Sequence, residues 1–458
     1  MRNTTRCKLK GGEMRSKLFI GLICTMLIVP FVNAQPKVKL GGLFYVYSFM
    51  WKNADFNGDT DDGDQHFYLH GDLHGTADFG KGISAKVKIG DWGTFGRHSI
   101  FGTGPDGLAV PSWYYGWDEV GVHIMEAYLM ASNLWDSPFG LQVGKQHVLY
   151  GDGMVAFDGG EDGFMGGKLF YNHEMFDMDL FWYRLIEGGG TSYIGSGMTN
   201  IPDDLDLFGA YGTLKLMEGG IHLSPYWFWR TESWKYAPEA KDTVYSDNPM
   251  WLGGRVEGTP IGALHVKGEV AMMMGKYEDM MDTLDYKGMA FMGEANYSLD
   301  EMGVPVSFGG AYVSFSGDDD DTDDEWKVYE SATNGPYTFG FYKGWPGFGP
   351  AHTLLTGYGF ACCAYWESMM ANLNVINGHL QYATGPVALR VDFFNYARNA
   401  VPEGVESAMG NEIGVHMTYN YMDALTFGFA GGYFMPGEYF GEDLDAMLGG
   451  YIYMAKGF

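Results

Sequence analysis

From residue 38 to the end of the chain, apolar and polar residues alternate in short runs with a period of two. In 66–79, Phe67, Leu69, Leu73, Ala77 and Phe79 oppose His66, His70, Asp72, His74 and Asp78. In 83–90, Ile83, Ala85, Val87 and Ile89 oppose Ser84, Lys86 and Lys88; in 264–272, Leu264, Val266, Val270 and Met272 oppose His265, Lys267 and Glu269. A strand puts each set on one face, whereas a helix would scatter it around the axis. The polar faces carry too many charges to line the dry side of a soluble sandwich. A closed barrel instead satisfies every backbone group, with its apolar faces in lipid and its polar faces around water. The final segment, 445–458, follows the same rule, with Leu448, Ile452, Met454 and Phe458 on one face.

Eighteen such segments can be placed, with sixteen the alternative count. An even number leaves both termini on the periplasmic side. The connections then sort by length. Gly80-Lys81, Glu218, Thr259-Pro260-Ile261, Asp300-Glu301-Met302, Thr384-Gly385 and Met422-Asp423 fall on one side, and the long segments 93–118, 187–204, 232–247 and 317–363 on the other. The expected fold is all-β: a transmembrane antiparallel β-barrel with short periplasmic turns and long extracellular loops, wide enough for an aqueous channel. Trp227 and Trp229 face outward beside a long loop, as in an interfacial aromatic girdle.

The start of the chain gives the same address. Residues 1–34 read as a secretory signal, with Met14 an alternative start, basic Arg15 and Lys17, an apolar stretch from Leu18 to Phe31, and a small-residue exit at Ala34. Cys24 follows Ile23 rather than a small residue, which argues against lipidation. Residues 35–458 are then expected to form a single barrel in the outer membrane of a Gram-negative-type bacterium. Its partners would be outer-membrane lipid, periplasmic chaperones and the barrel-assembly machinery. No plug domain precedes the first strand, which disfavours TonB-linked uptake. Cys362 and Cys363 remain after cleavage; two thiols are favoured over a strained vicinal disulfide. The formal charge is -28, and six basic residues leave with the leader, so nucleic acid is excluded as a partner.

Residues that could carry chemistry are few. There is no nucleophile elbow, phosphate loop or haem-attachment motif, so no enzyme is expected. His66, His70 and His74 sit ~13 Å apart along a strand and cannot share one metal. Asp55, Asn57, Asp59 and Asp61 have the oxygen spacing of a Ca²⁺ loop, but Thr60 stands where such a loop places Gly. A solvated loop is the favoured alternative, and no other cofactor is expected.

Extending the alternation puts Lys86, Lys88, Lys168, Arg255, Lys267 and Arg390 into the lumen, with Asp72, Glu126, Glu257, Glu269, Glu294, Asp392 and Glu412. Opposite charges recur at i and i+2 (Arg255/Glu257, Lys267/Glu269, Arg390/Asp392). They either set up a transverse field that orients polar solutes or simply neutralise each other in a wet wall. The functional expectation is a porin-like channel for passive diffusion or export of polar solutes, small molecules or oligosaccharides and uronates. Its rival is a filled barrel whose acidic loops bind cations or partners. Of the long loops, 93–118 is nearly neutral and rich in Gly and aromatic residues, so it is expected to form the constriction. Segment 317–363 opens on seven acids in eight residues (318–325) and is expected to stay in water.

Three stretches resemble the alginate-export family of eighteen-stranded outer-membrane barrels. They are 141–158 (LQVGKQHVLYGDGMVAFD); the loop 317–363 with Gly344-Trp345-Pro346 and Gly357-Tyr358; and 386–440 with Gly410-Asn411-Glu412-Ile413-Gly414 and Phe434-Met435-Pro436-Gly437-Glu438. The C-terminal Phe458 is similar to the signal by which outer-membrane barrels are recognised for insertion. The resemblance implies the fold, a channel role, and motif positions at Lys145 and Gln146. The chain departs from the family at Lys145, where Arg is usual, at Gly414, where Asp is usual, and at Glu438, which replaces Asp. Lys145 also falls on the outward phase unless Gly144 marks a bulge. A polyanion such as alginate would prefer a strongly basic lumen, and the inferred lining is mixed in sign. The family's substrate therefore does not follow from the resemblance.

Overall fold

The computed structural model describes residues 36–53, 56–59, 64–95, 123–157, 163–187, 204–216, 220–235, 244–278, 283–320, 322–333, 371–422 and 424–458. The signal segment, most of 93–118, Glu218 and the Cys362-Cys363 pair lie outside these. Where the sequence alternates, the chain runs as strands: β1 (Lys37–Lys52), β2 (Asp64–Gly80), β3 (Ile83–Phe95), β4 (His123–Ala131), β5 (Phe139–Gln146), β6 (Phe164–Asn172), β7 (Phe176–Glu187), β8 (Asp204–Lys215) and β9 (Ile221–Lys235). The second half continues as β10 (Val244–Ile261), β11 (Leu264–Glu278), β12 (Met289–Ser298), β13 (Val306–Phe315), β14 (Leu373–Thr384), β15 (Val387–Ala397), β16 (Ala408–Tyr421), β17 (Leu425–Pro436) and β18 (Met447–Gly457). Each pairs antiparallel with the next, and β18 returns to β1 from Leu43↔Gly457 to Lys52↔Leu448. The result is a closed barrel of eighteen strands.

The phase of each strand is visible in its burial. Asp72 is 4% exposed while Leu73 beside it is 54% exposed, and the rule holds around the circumference. The outer surface is a continuous apolar band that includes Leu40, Val87, Val143, Leu180, Leu252, Phe291, Ile376, Val391 and Ile452. A patch of that extent would drive aggregation in water and is at home only in hydrocarbon. The barrel is therefore of the outer-membrane type. Trp227 lies on this face, and Trp229 stacks on Phe208 with ring centroids 5.5 Å apart.

Two connections differ from expectation. The turn placed at Thr259-Pro260-Ile261 is strand, and the chain reverses one step later at Gly262-Ala263, with Gly262 at φ 46°. Pro260 is tolerated because the β10–β11 register shifts there, so its missing N–H breaks no regular rung. Segment 232–247 begins and ends in ladder: Glu232↔Asp247 through Lys235↔Val244 extend the β9–β10 hairpin, and 236–243 lie outside the described residues.

The closing ladder extends to Phe458. Gly42 N–H donates to the Phe458 carbonyl at 3.0 Å, and Phe458 N–H donates to the Gly42 carbonyl at 3.1 Å. A Cβ at Gly42 would lie 2.6 Å from both the Phe458 ring and the Asp72 carbonyl oxygen, and the latter is backbone that cannot swing aside. Deleting Phe458 removes two hydrogen bonds, about 2 kcal/mol. Gly42→Val should be at least as harmful. Both variants are expected to lower the temperature at which the fast-migrating folded form converts to the unfolded band on denaturing gels. Unchanged conversion would show that closure does not depend on this rung.

Candidate functional site: the lumen and its constriction

Every charge inferred to face the lumen lies on the inward phase of its strand. Most are held by a neighbour on the same wall. Lys86 Nζ is 2.8 Å from Glu126, and Lys88 Nζ is 3.2 Å from Asp72, which also has His74 at 3.6 Å. Lys168 reaches Asp179 at 3.1 Å, and Arg255 reaches Glu257 at 2.5 Å. Arg390 forks onto Asp392 at 2.7 and 2.8 Å. Glu269 accepts from the Tyr226 hydroxyl at 2.9 Å, Glu412 from Tyr396 at 3.3 Å, and Glu294 from Asn296. Lys267 lies between Glu257 and Glu294 in the ladder. Of the i, i+2 pairs, Arg255/Glu257 and Arg390/Asp392 are in contact, whereas Glu269 is engaged by Tyr226. These ion pairs join side chains of one strand or of neighbouring strands, a geometry that neutralises charge locally.

The motif pair suggested by resemblance splits across the wall. Gln146 points inward, 1% exposed, its amide 3.5 Å from the Gly166 carbonyl. Lys145 stays on the outward phase, opposite Ala127 and Met165. Gly144 has a positive φ of 133° but shifts no register. The Lys145 amine satisfies itself on the Ile124 carbonyl at 2.8 Å. Arg184 is also outward, bound to Asp206 at 2.6 and 3.2 Å, and Trp182 donates to the same carboxylate at 2.9 Å.

The alternation breaks along parts of the extracellular half of β7–β17, where both faces are apolar. Tyr226-Trp227-Phe228-Trp229, Ala271-Met272-Met273-Met274 and Met289-Ala290-Phe291-Met292 are unbroken apolar runs. Their inward members, Phe228, Ala271, Met273, Ala290 and Met292, are buried together with Phe181, Tyr183, Leu207, Trp251, Val313 and Phe315. What covers them is chain folded back into the barrel. Residues 147–157 enter the lumen as a small ladder, Leu149–Tyr150 against Ala156–Phe157, around a tight turn at Gly151–Gly153. Met154, Val155 and Ala156 are fully buried.

A second inward segment, 328–333, locks the first. The Tyr329 hydroxyl donates to the Met154 carbonyl at 2.9 Å, and Ala332 N–H donates to the Val155 carbonyl at 2.7 Å. The Thr333 hydroxyl accepts from Phe157 N–H at 2.9 Å and donates to its carbonyl at 2.7 Å. Trp251 Nε1 donates to the Glu330 carbonyl at 2.7 Å, and Arg230, whose guanidinium lies over the Trp251 ring, binds Asp247 at 2.9 Å and Glu330 at 3.6 Å. The Tyr150 ring stacks on Phe181 at 4.8 Å, and its hydroxyl donates to Asp179 at 3.0 Å.

The constriction that the structure describes is thus built by 147–157 and 328–333. The expected gate, 93–118, falls outside the described residues apart from its first three, which belong to β3. The expectation that 317–363 stays wholly in water is corrected: its acidic head remains at the mouth, and the residues just after it turn inward. The head is held by its own contacts. Lys327 Nζ donates to Asp323 at 2.6 Å, and this bond holds Asp323 below the usual carboxylate range and Lys327 above its own. Asp320 is likewise lowered by the Thr322 hydroxyl at 2.6 Å.

At the mouth, Phe56 packs on Phe434 and Phe440, and Gly58 N–H donates to Asp445 at 2.8 Å. Of the Ca²⁺ candidates only Asn57 and Asp59 are described, and the Asn57 side-chain Oδ1 accepts from Asp59 N–H at 3.1 Å. Among the described residues no three His, Cys, Asp or Glu side chains converge as a metal site. Below the inward ladder, a pocket of about 440 Å³ lies between Leu149–Gly151 and the wall of β6–β8, with Arg255 at its edge.

No protein-family model and no curated protein matches the chain. Similar solved structures include OccK11 (OpdR) of Pseudomonas aeruginosa, 11% identical with a TM-score of 0.52, covering 92% of this chain and 96% of that one. Also similar are OccAB4 of Acinetobacter baumannii (10% identity, TM-score 0.56, 93% and 99% covered) and OpdQ of P. aeruginosa (13%, 0.53, 92% and 97%). The likeness gives the alginate-export family no particular support. At such low identity it speaks to the fold, and it spans the whole barrel.

Proposed function

We propose that this chain is an outer-membrane channel through which polar solutes, oligosaccharides or uronates among them, diffuse passively. The observation that carries the reading is the layered lumen. A belt of locally neutralised charges in the periplasmic half leaves a wet, polar path, and an apolar collar above it seats a folded-back constriction. A wall of paired charges lets hydrated solutes enter without binding any of them tightly enough to trap it. The rival reading, a filled barrel, draws on the tight packing of Met154 and Val155 against Tyr329. Planar-bilayer recording separates the two, since discrete open steps support the channel and silence from folded, inserted protein supports the filled barrel.

The constriction predicts its own variant. A Cβ at Gly151 (φ 60°) would lie 2.1 Å from Glu269 Oε1. Asp tolerates that backbone conformation, so Gly151→Asp adds mainly a carboxylate against a carboxylate. The inward ladder should be displaced and single-channel conductance should rise about twofold or more. An unchanged conductance would mean that 147–157 does not set the bore.

Selectivity follows from the mouth. Asp318, Asp319 and Asp320 sit on the rim segment above a lumen whose charges are largely paired. They concentrate cations over about a Debye length, ~8 Å at physiological salt. A modest cation preference is expected at low ionic strength, fading as salt rises. Replacing the three by Asn should abolish it without loss of folding, since Asp319 and Asp320 are exposed. Reversal-potential measurements check this, and strong anion selectivity at low salt would contradict it and favour a uronate path.

A further inference from the structure

We infer that the pocket beneath the inward ladder is a subsite for neutral polyhydroxyl solutes of about monosaccharide to disaccharide size. The inference deepens the channel reading and rests on it for solute access. At about 440 Å³ the pocket is within the range of small-molecule sites. Its four charged side chains all have partners. Lys168 pairs with Asp179 at 3.1 Å, Asp177 with Lys215 at 2.7 Å, and Arg255 with Glu257 at 2.5 Å. An anionic solute would have to displace a carboxylate to reach Lys168 or Arg255, and a cationic one would have to displace an amine to reach Asp177 or Asp179. A hydroxyl can donate to the carboxylate and accept from the ammonium while both pairs stay intact.

The second half of the argument is aromatic. Tyr150 and Tyr211 both line the pocket with ring centroids 5.0 Å apart. Tyr211 is held by stacking on Tyr226 at an interplanar angle of 6°, and the Tyr150 hydroxyl is tied to Asp179. A pyranose ring is apolar on its C–H faces and polar around its rim. Rigid tyrosines beside fixed donors and acceptors offer that pattern in reverse. Neither feature favours a charged metabolite.

Calorimetric titration of the folded protein, in a zwitterionic detergent without a sugar headgroup, tests this with two probes of equal size. Cellobiose is expected to bind in the millimolar range, with cellobiuronate, which adds one carboxylate, about tenfold weaker. Tyr211→Ala, and the bulkier Tyr211→Leu, should each weaken cellobiose about tenfold or more while keeping the folded gel band. No saturable cellobiose binding, tighter binding of cellobiuronate, or variants that bind as the native protein does would each overturn the subsite. Calorimetry needs no current, so the two readings fail separately. Protein that binds cellobiose but stays silent in bilayers defeats the channel, and a conducting pore that does not bind it defeats only the subsite.

Discussion

Everything in this barrel depends on the need to pair each backbone N–H and C=O of a strand surrounded by hydrocarbon. In water a sheet edge is a liability; in lipid it is prohibitive, because each unpaired group costs several kcal/mol. Closure between β1 and β18 is the solution, and the reciprocal bonds between Gly42 and Phe458 carry the ladder to the final residue. The side-chain alternation follows from that closure. With the ladder circular, one phase must meet lipid and the other must meet whatever fills the middle.

What fills the middle is not uniform. In the periplasmic half, opposite charges on one strand or on neighbours hold each other, and the inner wall is polar at little electrostatic cost. In the extracellular half of β7–β17 most inward side chains are apolar, with paired Arg230 and Asp247 buried among them, and water against the apolar ones would be as unfavourable as on the outside. The chain answers by covering them with 147–157 and 328–333, so the constriction is a small hydrophobic core inside a membrane protein. The hydrogen bonds of Tyr329 and Thr333 to the first segment then satisfy backbone groups that this burial removes from water. The 440 Å³ pocket lies where the inserted ladder meets the charged wall of β6–β8.

Period two is a local property, so the eighteen strands and the inward phase of residues such as Asp72, Lys86 and Arg390 were legible in the sequence. Among the described residues the short turns were legible to within a residue or two, with Pro260 misleading because a register shift made room for it. Lys145 was legible as an outward residue; the family resemblance alone suggested otherwise. The inward collar left a signal as well, in runs such as Ala271-Met272-Met273-Met274 where alternation fails. Such a run says that both faces are dry without saying what covers the inner one.

That last choice belongs to tertiary structure. The sequence by itself determined a closed, lipid-facing barrel, because the hydrophobic pattern and the backbone's demand for partners admit no other arrangement. Which loop enters the lumen depended on matching a segment's shape to a collar assembled from strands far apart in the chain. Composition argued against 317–363 because its head is acidic, yet Lys327 and Thr322 hold that head at the mouth while Tyr329, five residues beyond Asp324, reaches the core. Average charge describes a whole loop, whereas burial is decided residue by residue where surfaces meet.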